Sequence, residues 1–150
     1  MSNKYSKNVQ TVLDILKDEI DGNVDAALEK MTKDYSMTWM YKKSNGELFP
    51  RTITDIDAEL RDVYHIKGRE YDIKNIAEGD RLIMIEMVES YPDPESNKIY
   101  RTPVVLVLEI ENGKIKTGRH YCDPGISFIN LTEEQISNAF VNHSSKEIIK

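Results

Sequence analysis

The 150-residue sequence has a single cysteine, Cys122, so an intramolecular disulfide is excluded and a reducing compartment is expected. Clustered basic residues are almost absent: the net charge is −6 and the only short basic cluster is the pair Lys42-Lys43. Nucleic-acid phosphates require more positive charge than this. The longest apolar run, Val104 to Leu108, is far shorter than the roughly 20 residues of a membrane span. With a polar N-terminus that shows no signal peptide, these absences predict a cytoplasmic protein that contacts neither nucleic acid nor membrane.

Metal-binding and phosphate-binding patterns are also missing. The histidines His65, His120 and His143 are scattered, and neither they nor Cys122 show the spacing of transition-metal ligands. No glycine-rich phosphate loop is present. We therefore predict that the protein uses no metal and no cofactor.

The composition is that of an ordinary globular domain, with 39% hydrophobic and 31% charged residues. A chain of this length is long enough to bury a core without disulfides or metal. No linker or internal repeat divides it. We predict one domain over residues 1–150, with a core at about 6–131 and a C-terminal helix and tail at 132–150.

Hydrophobic periodicity predicts helices at the start of the chain and strands after them. Apolar residues at helical spacing from Val9 to Ile20 indicate a first helix, which Asp21-Gly22-Asn23 ends. A second helix, an aromatic strand from Tyr35 to Tyr41 and a third helix after a capping box at Thr54 and Asp57 follow. The later elements are strands at about 69–77, 80–91, 99–111 and 114–123 and a last helix from Thr132. Helices before an antiparallel meander indicate the α+β class.

Asn112-Gly113 is a strong hairpin signal and gives a register for the last two strands. A two-residue loop pairs Glu111 with Lys114 and Glu109 with Lys116 on one face. The opposite face then carries an apolar ladder, which the helices should cover. In this register the ladder residues Thr102, Val104, Leu106, Leu108 and Ile110 face Asp123, Tyr121, Arg119, Thr117 and Ile115. Arg119, Tyr121 and Asp123 are thus predicted to point inward, and His120 and Cys122 outward.

The preceding strand adds another carboxylate. Ile83, Ile85, Met87 and Glu89 alternate with Leu82, Met84, Glu86 and Val88, and we assign the first set to the interior. Glu89 then lies level with Thr102 and Asp123, so that two carboxylates face a space about 10 Å wide. The alternative places Glu86 inside and Glu89 outside, and the sequence leaves it open.

The segment Asn112-Gly113-Lys114-Ile115, followed by Arg119-His120-Tyr121-Cys122-Asp123, resembles the last strand of SnoaL-like proteins. There a Gly-Lys-Ile turn precedes an aromatic residue and an aspartate two positions apart. The resemblance implies a cone-shaped α+β fold, in which a curved antiparallel sheet wraps around N-terminal helices. This is the fold of cystatin-like and nuclear-transport-factor-2-like proteins.

Within this group the sequence is most similar to limonene-epoxide-hydrolase-like proteins, in which Gly-Lys-Ile is followed by Arg-x-Tyr-x-Asp. That family also has an Arg-x-Asp pair on a neighbouring strand. Here the matching segment is Met87-Val88-Glu89, so the carboxylate is kept and the arginine is missing. Ketosteroid isomerases are similar in fold but use an aspartate base just after the first strand, where Met37 to Lys42 contains none.

The resemblance implies a pocket for a small hydrophobic molecule, and SnoaL-type polyketide cyclases use an aspartate at the place of Asp123. In such a pocket Asp123 would be the general base, Glu89 the acid, and Arg119 a group that orients a carboxylate or stabilises an oxyanion. The expected ligand-binding residues are Tyr121, Met87, Trp39, Tyr64, Val104 and Leu106. These assignments suit a cofactor-free cyclase, isomerase or hydrolase acting on a hydrophobic carbonyl, epoxide or polyketide-like substrate.

A non-catalytic interpretation stays open beside this one. Arg119 and Asp123 form a structural ion pair in it, and Tyr121, Trp39 and Tyr64 are core residues. The protein is then a ligand-binding or dimerisation module. In both interpretations Pro103, Val105 and Val107 lie on the outer sheet face, and the resemblance implies a homodimer through that face.

Overall fold

A computed structural model describes residues 4–40, 51–63, 65–123, 125–126, 129–141 and 144–150, with the backbone only at residues 51–53 and 63. Within these ranges the chain has an α+β fold. The helices are α1 (Lys7–Asp21), α2 (Val24–Glu29), α3 (Ile56–Val63) and α4 (Glu133–Ala139). The strands are β1 (Met31–Trp39), β2 (Arg51–Ile53), β3 (Glu70–Glu78), β4 (Leu82–Pro92), β5 (Ile99–Glu111), β6 (Lys114–Tyr121) and β7 (Glu147–Ile149).

Helix α1 begins and ends where its sequence indicates. The Ser6 hydroxyl accepts the N–H of Val9 at 3.1 Å, and Gly22 takes the left-handed conformation, φ 75°, that ends the helix. The buried face of α1 is apolar with one exception, which is Glu19. Its buried residues are Val9, Val12, Leu13, Ile15, Leu16 and Glu19.

The two later helices differ in how well their caps were predicted. The Thr132–Gln135 capping box of α4 is confirmed, with both of its hydrogen bonds formed. The predicted box at Thr54 and Asp57 is wrong. Instead the Asp55 carboxylate accepts the N–H of Ala58 at 3.2 Å, because α3 begins one residue later than the box requires.

The seven described strands form one mixed sheet in the order β2-β1-β6-β5-β4-β3-β7. The sheet is not wholly antiparallel as predicted, since β1 runs parallel to β6. The edge strand β7 was not predicted, because three residues carry too little periodicity to signal a strand. The inner sheet face packs on α1, α2 and α3 to form the core. In the part of the chain described, every helix is too short or too polar to cross a membrane.

The register of β4 against β5 decides which glutamate faces inward. Glu89 lies opposite Thr102, and Met87 lies opposite Val104. Met87 and Val104 are buried in the core, so Glu89 shares their inner face. Glu86 points outward and accepts a hydrogen bond from the Asn75 side chain at 2.6 Å. The inward placement of Glu89 is confirmed, and the Glu86 alternative is wrong.

The register of β5 against β6 is as predicted only next to the turn. Glu111 pairs with Lys114 and Ile110 with Ile115, but Glu109 pairs with Thr117 because Lys116 is an extra residue in β6. A shift of one residue turns every later side chain to the other face. Beyond this bulge, Val107 lies opposite Arg119, Leu106 opposite His120, and Val105 opposite Tyr121. The predicted inward positions of Arg119 and Tyr121 and outward positions of His120 and Cys122 are therefore wrong.

Two contacts favour the bulge. The Lys116 ammonium pairs with Asp34 at 3.2 Å and Glu111 at 3.1 Å. The shift also turns Gly118 inward, where a β-carbon would lie only 2.8 Å from the Tyr35 hydroxyl and from the Met37 methyl group. The absence of a side chain at Gly118 thus makes room for the ring of Tyr35 on β1.

This register predicts that substitutions at two adjacent positions differ in how strongly they destabilise the protein. We expect Gly118→Val to lower the free energy of unfolding by about 2 kcal/mol, because the new side chain overpacks the contact with Tyr35. We expect Arg119→Val to lower it by less than about 1 kcal/mol, because an outer-face ion pair contributes little. Urea denaturation of both variants measures the difference. The reverse order would support the register without the bulge.

Candidate active site

A cavity of about 430 Å³ lies between the inner sheet face and helices α1 and α3. Its volume is in the range of small-molecule sites. Most of its wall is apolar. The apolar residues of the wall include Leu16, Met31, Leu60, Met87, Val104 and Leu106. Against this background a small number of polar side chains stand out.

The first polar group is an ion pair between Arg69 and Glu89. The Arg69 Nη1 group donates directly to Glu89 Oε1. Only 5% of the Arg69 side chain and 17% of the Glu89 side chain are exposed. The guanidinium group also lies over the Tyr91 ring, 5.0 Å from its centre. Arg69 is thereby fixed from two sides, and it holds Glu89 Oε1, while Glu89 Oε2 lies near His120.

The second polar group is His120, whose Nε2 lies 4.0 Å from Glu89 Oε2. This separation is short enough for an ion pair, but burial lowers the pKa of His120 to about 4. At neutral pH the imidazole is therefore neutral. The contact brings together a carboxylate and an uncharged ring that can donate or accept a proton.

A third polar group lies on the helical wall. Glu19 of α1 is 8% exposed, and the Tyr71 hydroxyl donates a long hydrogen bond of 3.5 Å to its carboxylate. The pKa of Tyr35 is raised, first by its burial and then by the charge of Glu19. Tyr71 also lies directly opposite Glu89 in the β3–β4 pair. Tyr71 thus contacts Glu19 through its hydroxyl and neighbours Glu89 through its strand.

Cys122 also lines the cavity. Burial raises the pKa of its thiol to about 11, with a further contribution from Asp123. The thiol is therefore protonated at neutral pH, and a thiolate nucleophile is not supported. Within the described residues, no cluster of three or more histidine, cysteine or acidic side chains could hold a metal ion.

The structure brings together some of the residues predicted from sequence. Glu89, Met87, Trp39, Val104 and Leu106 all lie on the cavity wall, while Tyr64 is outside the described residues.

The three charged or polar residues predicted on β6 and after it lie elsewhere. Arg119 is on the outer face, with its Nη1 group 3.7 Å from Glu109 Oε1. Tyr121 is 39% exposed. Asp123 is exposed beyond the end of β6, where its carboxylate accepts the N–H of Gly125 at 2.9 Å. Asp123 thus stabilises a turn. The predicted ion pair between Arg119 and Asp123 is not found among the described residues.

The sequence carried signals for two of the groups that were missed. Glu19 follows Val12 and Leu16 at helical spacing, so it had to share their buried face. Arg69 precedes Tyr71 and Ile73, which alternate inward along β3. The position of His120 had no such signal, because it depends on the bulge.

Many solved structures resemble the chain, and three of them illustrate the likeness. An NTF2-like protein from Burkholderia xenovorans LB400 is 14% identical, with a TM-score of 0.65 over 84% of this chain and 96% of that one. An LEH-like epoxide hydrolase from M. tuberculosis is 17% identical, with a TM-score of 0.65 over 93% and 98%. A proposed SnoaL-like polyketide cyclase from Jannaschia sp. CCS1 is 15% identical, with a TM-score of 0.66 over 88% and 99%. The chain has the NTF2-like fold.

No protein-family model matches the sequence, and the comparison with curated proteins gives no significant match. At these identities the likeness concerns the fold, and the function has to be argued from the site. Within this NTF2-like fold the carboxylate–arginine pair is built from Glu89 on β4 and a residue of the segment that leads into β3. The arginine that the limonene-epoxide-hydrolase pattern places beside its carboxylate on one strand is missing here, and Arg69, just before β3, contacts Glu89 instead.

The burial of Arg69 and Glu89 predicts a non-additive effect on stability. Arg69→Met should lower the free energy of unfolding by about 3 kcal/mol or more, because it leaves a buried carboxylate without its main counter-charge. The double variant Arg69→Met/Glu89→Leu should lose less than this single variant. Urea denaturation measures both. A loss in the double variant equal to that in Arg69→Met, or equal to the sum of the two single losses, would contradict the prediction. Arg61→Met, which removes an exposed ion pair, is the control.

The low pKa of His120 predicts a pH dependence of stability. The unfolded chain binds a proton at the ordinary pKa of 6.5, whereas the folded chain does so at about 4. Above pH 6.5 His120 is neutral in both states and does not reduce the free energy of unfolding. As the pH falls from 6.5 to about 4, only the unfolded chain gains the proton, and the free energy of unfolding decreases. We expect that in His120→Gln the free energy of unfolding decreases by about 3 kcal/mol less over this pH range than in the wild-type protein. Urea denaturation across this pH range tests the prediction, with His65→Gln at an exposed position as the control. The same dependence of the free energy of unfolding on pH in His120→Gln and in the wild-type protein would contradict it.

Proposed function

We propose that this protein is a cofactor-free isomerase or cyclase that transfers a proton next to a carbonyl group of a small hydrophobic substrate. The observation that carries the proposal is the 4.0 Å separation of Glu89 Oε2 and His120 Nε2 on the wall of a mostly apolar cavity. A proton acceptor and a neutral proton donor at this distance can act on the two ends of a carbonyl–carbon unit.

In the proposed reaction Glu89 Oε2 accepts the proton from the carbon next to the carbonyl. His120, with its proton on Nε2, donates a hydrogen bond to the carbonyl oxygen as negative charge develops there. A neutral imidazole suits this role because it needs no proton from solvent at neutral pH. Arg69 is a positioning residue, since it holds Glu89 Oε1 and leaves Oε2 toward the substrate.

The apolar wall supports a hydrophobic substrate. Met87, Val104 and Leu106 form a continuous inner surface beside Glu89 and His120. Little water is held at an apolar surface, so water competes weakly for the polar groups beside it. Electrostatic contacts between these groups and a ligand are therefore stronger. The same acid–base pair would also suit activation of a water for hydrolysis, and the type of product distinguishes the two reactions.

The homodimer and the cytoplasmic location stay predictions. The outer face that a second copy would contact differs from the expected one, since Tyr121 and Arg119 lie there in place of His120 and Cys122. Pro103, Val105 and Val107 keep their expected outward positions opposite β4 residues such as Met84 and Val88.

Deuterium exchange tests the proposed chemistry directly. The protein should accelerate exchange at the carbon next to the carbonyl in a panel of hydrophobic cyclic ketones, followed by NMR. Glu89→Gln should lower the exchange rate by about 10²- to 10⁴-fold, because the proton acceptor is lost.

Arg119→Ala and Asp123→Asn are matched controls, since both residues lie outside the cavity, and they should leave the rate unchanged. Ketones that bind without accelerated exchange would contradict the catalytic role. The protein would then be a ligand-binding module of the same fold.

A further inference from the structure

The cavity has a closed end made of aliphatic side chains. Five aliphatic residues of its wall are no more than 5% exposed. They are Val12, Ile15 and Leu16 of α1, Leu108 of β5 and Ile115 of β6. A polar group placed against these side chains would lose its contacts with water, so this end of the cavity favours the apolar part of a ligand.

The other end of the cavity opens to solvent beside α3 and the residues that follow it. Asp62 and His65 on this part of the wall are exposed, and Trp39, Tyr91 and Cys122 are half-buried. A ligand can keep a polar group in contact with water here. The two ends of the cavity therefore differ in the kind of chemical group that they accept.

The sheet register separates Glu89 from the closed end. Glu89 lies opposite Thr102 on β5, whereas Leu108 lies six residues further along the same strand. Six residues of a strand span about 20 Å. Because Thr102 and Leu108 both line the cavity, its volume of about 430 Å³ is spread over much of this length. The cavity is thus long and narrow, and it suits a chain better than a compact ring system.

Helix α1 runs along the cavity in a direction that agrees with this register. The Ser6 hydroxyl, just before α1, donates to Glu78 Oε1 at 2.7 Å, at the end of β3. The Lys17 ammonium donates to the Lys150 carbonyl at 2.6 Å, just after β7, which pairs with the start of β3. Through β4, the end of β3 lies level with Leu108. The early turns of α1 and Leu108 therefore lie at the same end of the cavity.

The acid–base pair lies between the two ends. The Glu89 and His120 side chains are 17% and 19% exposed. These fractions are larger than those of the closed end and smaller than those of the exposed residues beside α3. A carbonyl group at the pair would have the closed end on one side and solvent on the other.

On the basis of the proposed small-molecule role of this cavity, we infer that its substrate is a carbonyl compound with an unbranched alkyl chain, which enters chain first. The chain lies in the closed end, against Val12, Leu108 and Ile115. The carbonyl group stays beside Glu89 and His120, and a further polar group of the substrate points toward the open end. The side chains of the closed end set the limit on the length of the chain.

Methyl ketones with five to eleven carbons test this inference in the wild-type protein, with binding measured by calorimetry and thermal shift. Affinity should rise about fourfold with each added methylene group and stop rising when the chain fills the closed end. The methyl ketone 2-nonanone should bind about tenfold or more tightly than its isomer 5-nonanone. The isomer has its carbonyl in the middle and can place only a shorter chain in the closed end.

Two variants at the closed end should change the preferred chain length in opposite directions. Leu108→Ala enlarges this end and should lengthen the preferred ketone by about two carbons, whereas Val12→Phe fills it and should shorten the preferred ketone. The preference compares ketones within one protein, so a general loss of stability does not change it. Val105→Ala shortens an aliphatic side chain of the same strand outside the cavity wall and should leave the preference unchanged.

The outcomes are separable from those of the proposed catalysis. Equal affinity for all chain lengths, equal affinity for the two nonanones, or a preferred length that stays the same in Leu108→Ala and Val12→Phe would overturn the inference. None of these results would change the exchange result with cyclic ketones. Binding that depends on chain length without ketone exchange would support the inference and count only against catalysis. If no methyl ketone binds, the inference fails, and if exchange is also absent, the proposed function fails with it.

Discussion

The inward alternation of side chains along β6 is interrupted once, at Lys116, and the polar contents of the cavity depend on that interruption. In an uninterrupted strand Arg119 and Tyr121 would face the helices and His120 would face outward. With one extra residue in the strand, Gly118 meets Tyr35, and His120 reaches the carboxylate of Glu89. The alternative would bury an arginine among apolar side chains, at a cost of several kcal/mol if no partner were available. Packing and electrostatics therefore favour the same register.

The cavity combines features that stability alone would not select. The side chains that line a cavity of about 430 Å³ lack the dispersion contacts that they would make in a filled core. The Arg69–Glu89 pair and Glu19 are held in apolar surroundings, where charges are costly to bury. Such departures from good packing are expected at functional sites, and the surrounding core compensates for them. This contrast is the main physical reason to regard the cavity as a binding site and not as an imperfection of the core.

Much of the fold could be predicted from the sequence, because periodicity is a local property. The apolar spacing of α1, the Thr132 cap and the Asn112-Gly113 turn each signal their structure within a few residues. The inward face of β4 was predicted for the same reason. The site was harder, since it depends on contacts between distant segments. The sequence around Lys116 does not mark it as a bulge, because two of the contacts that favour the bulge come from Asp34 and Tyr35, far away in the chain. Arg69 and Glu89 likewise meet only once β3 and β4 have paired.

The parallel pairing of β1 with β6 has a consequence for how the molecule assembles. These strands are separated by most of the chain, so their contact closes the longest loop in the sheet and should form after the local hairpins. Trp39, the only tryptophan, lies directly opposite His120 in this pair and lines the cavity. Its indole takes its place on the cavity wall only when β1 and β6 have paired. The intrinsic fluorescence of the protein should therefore report on the pairing of these two strands, which completes this side of the cavity.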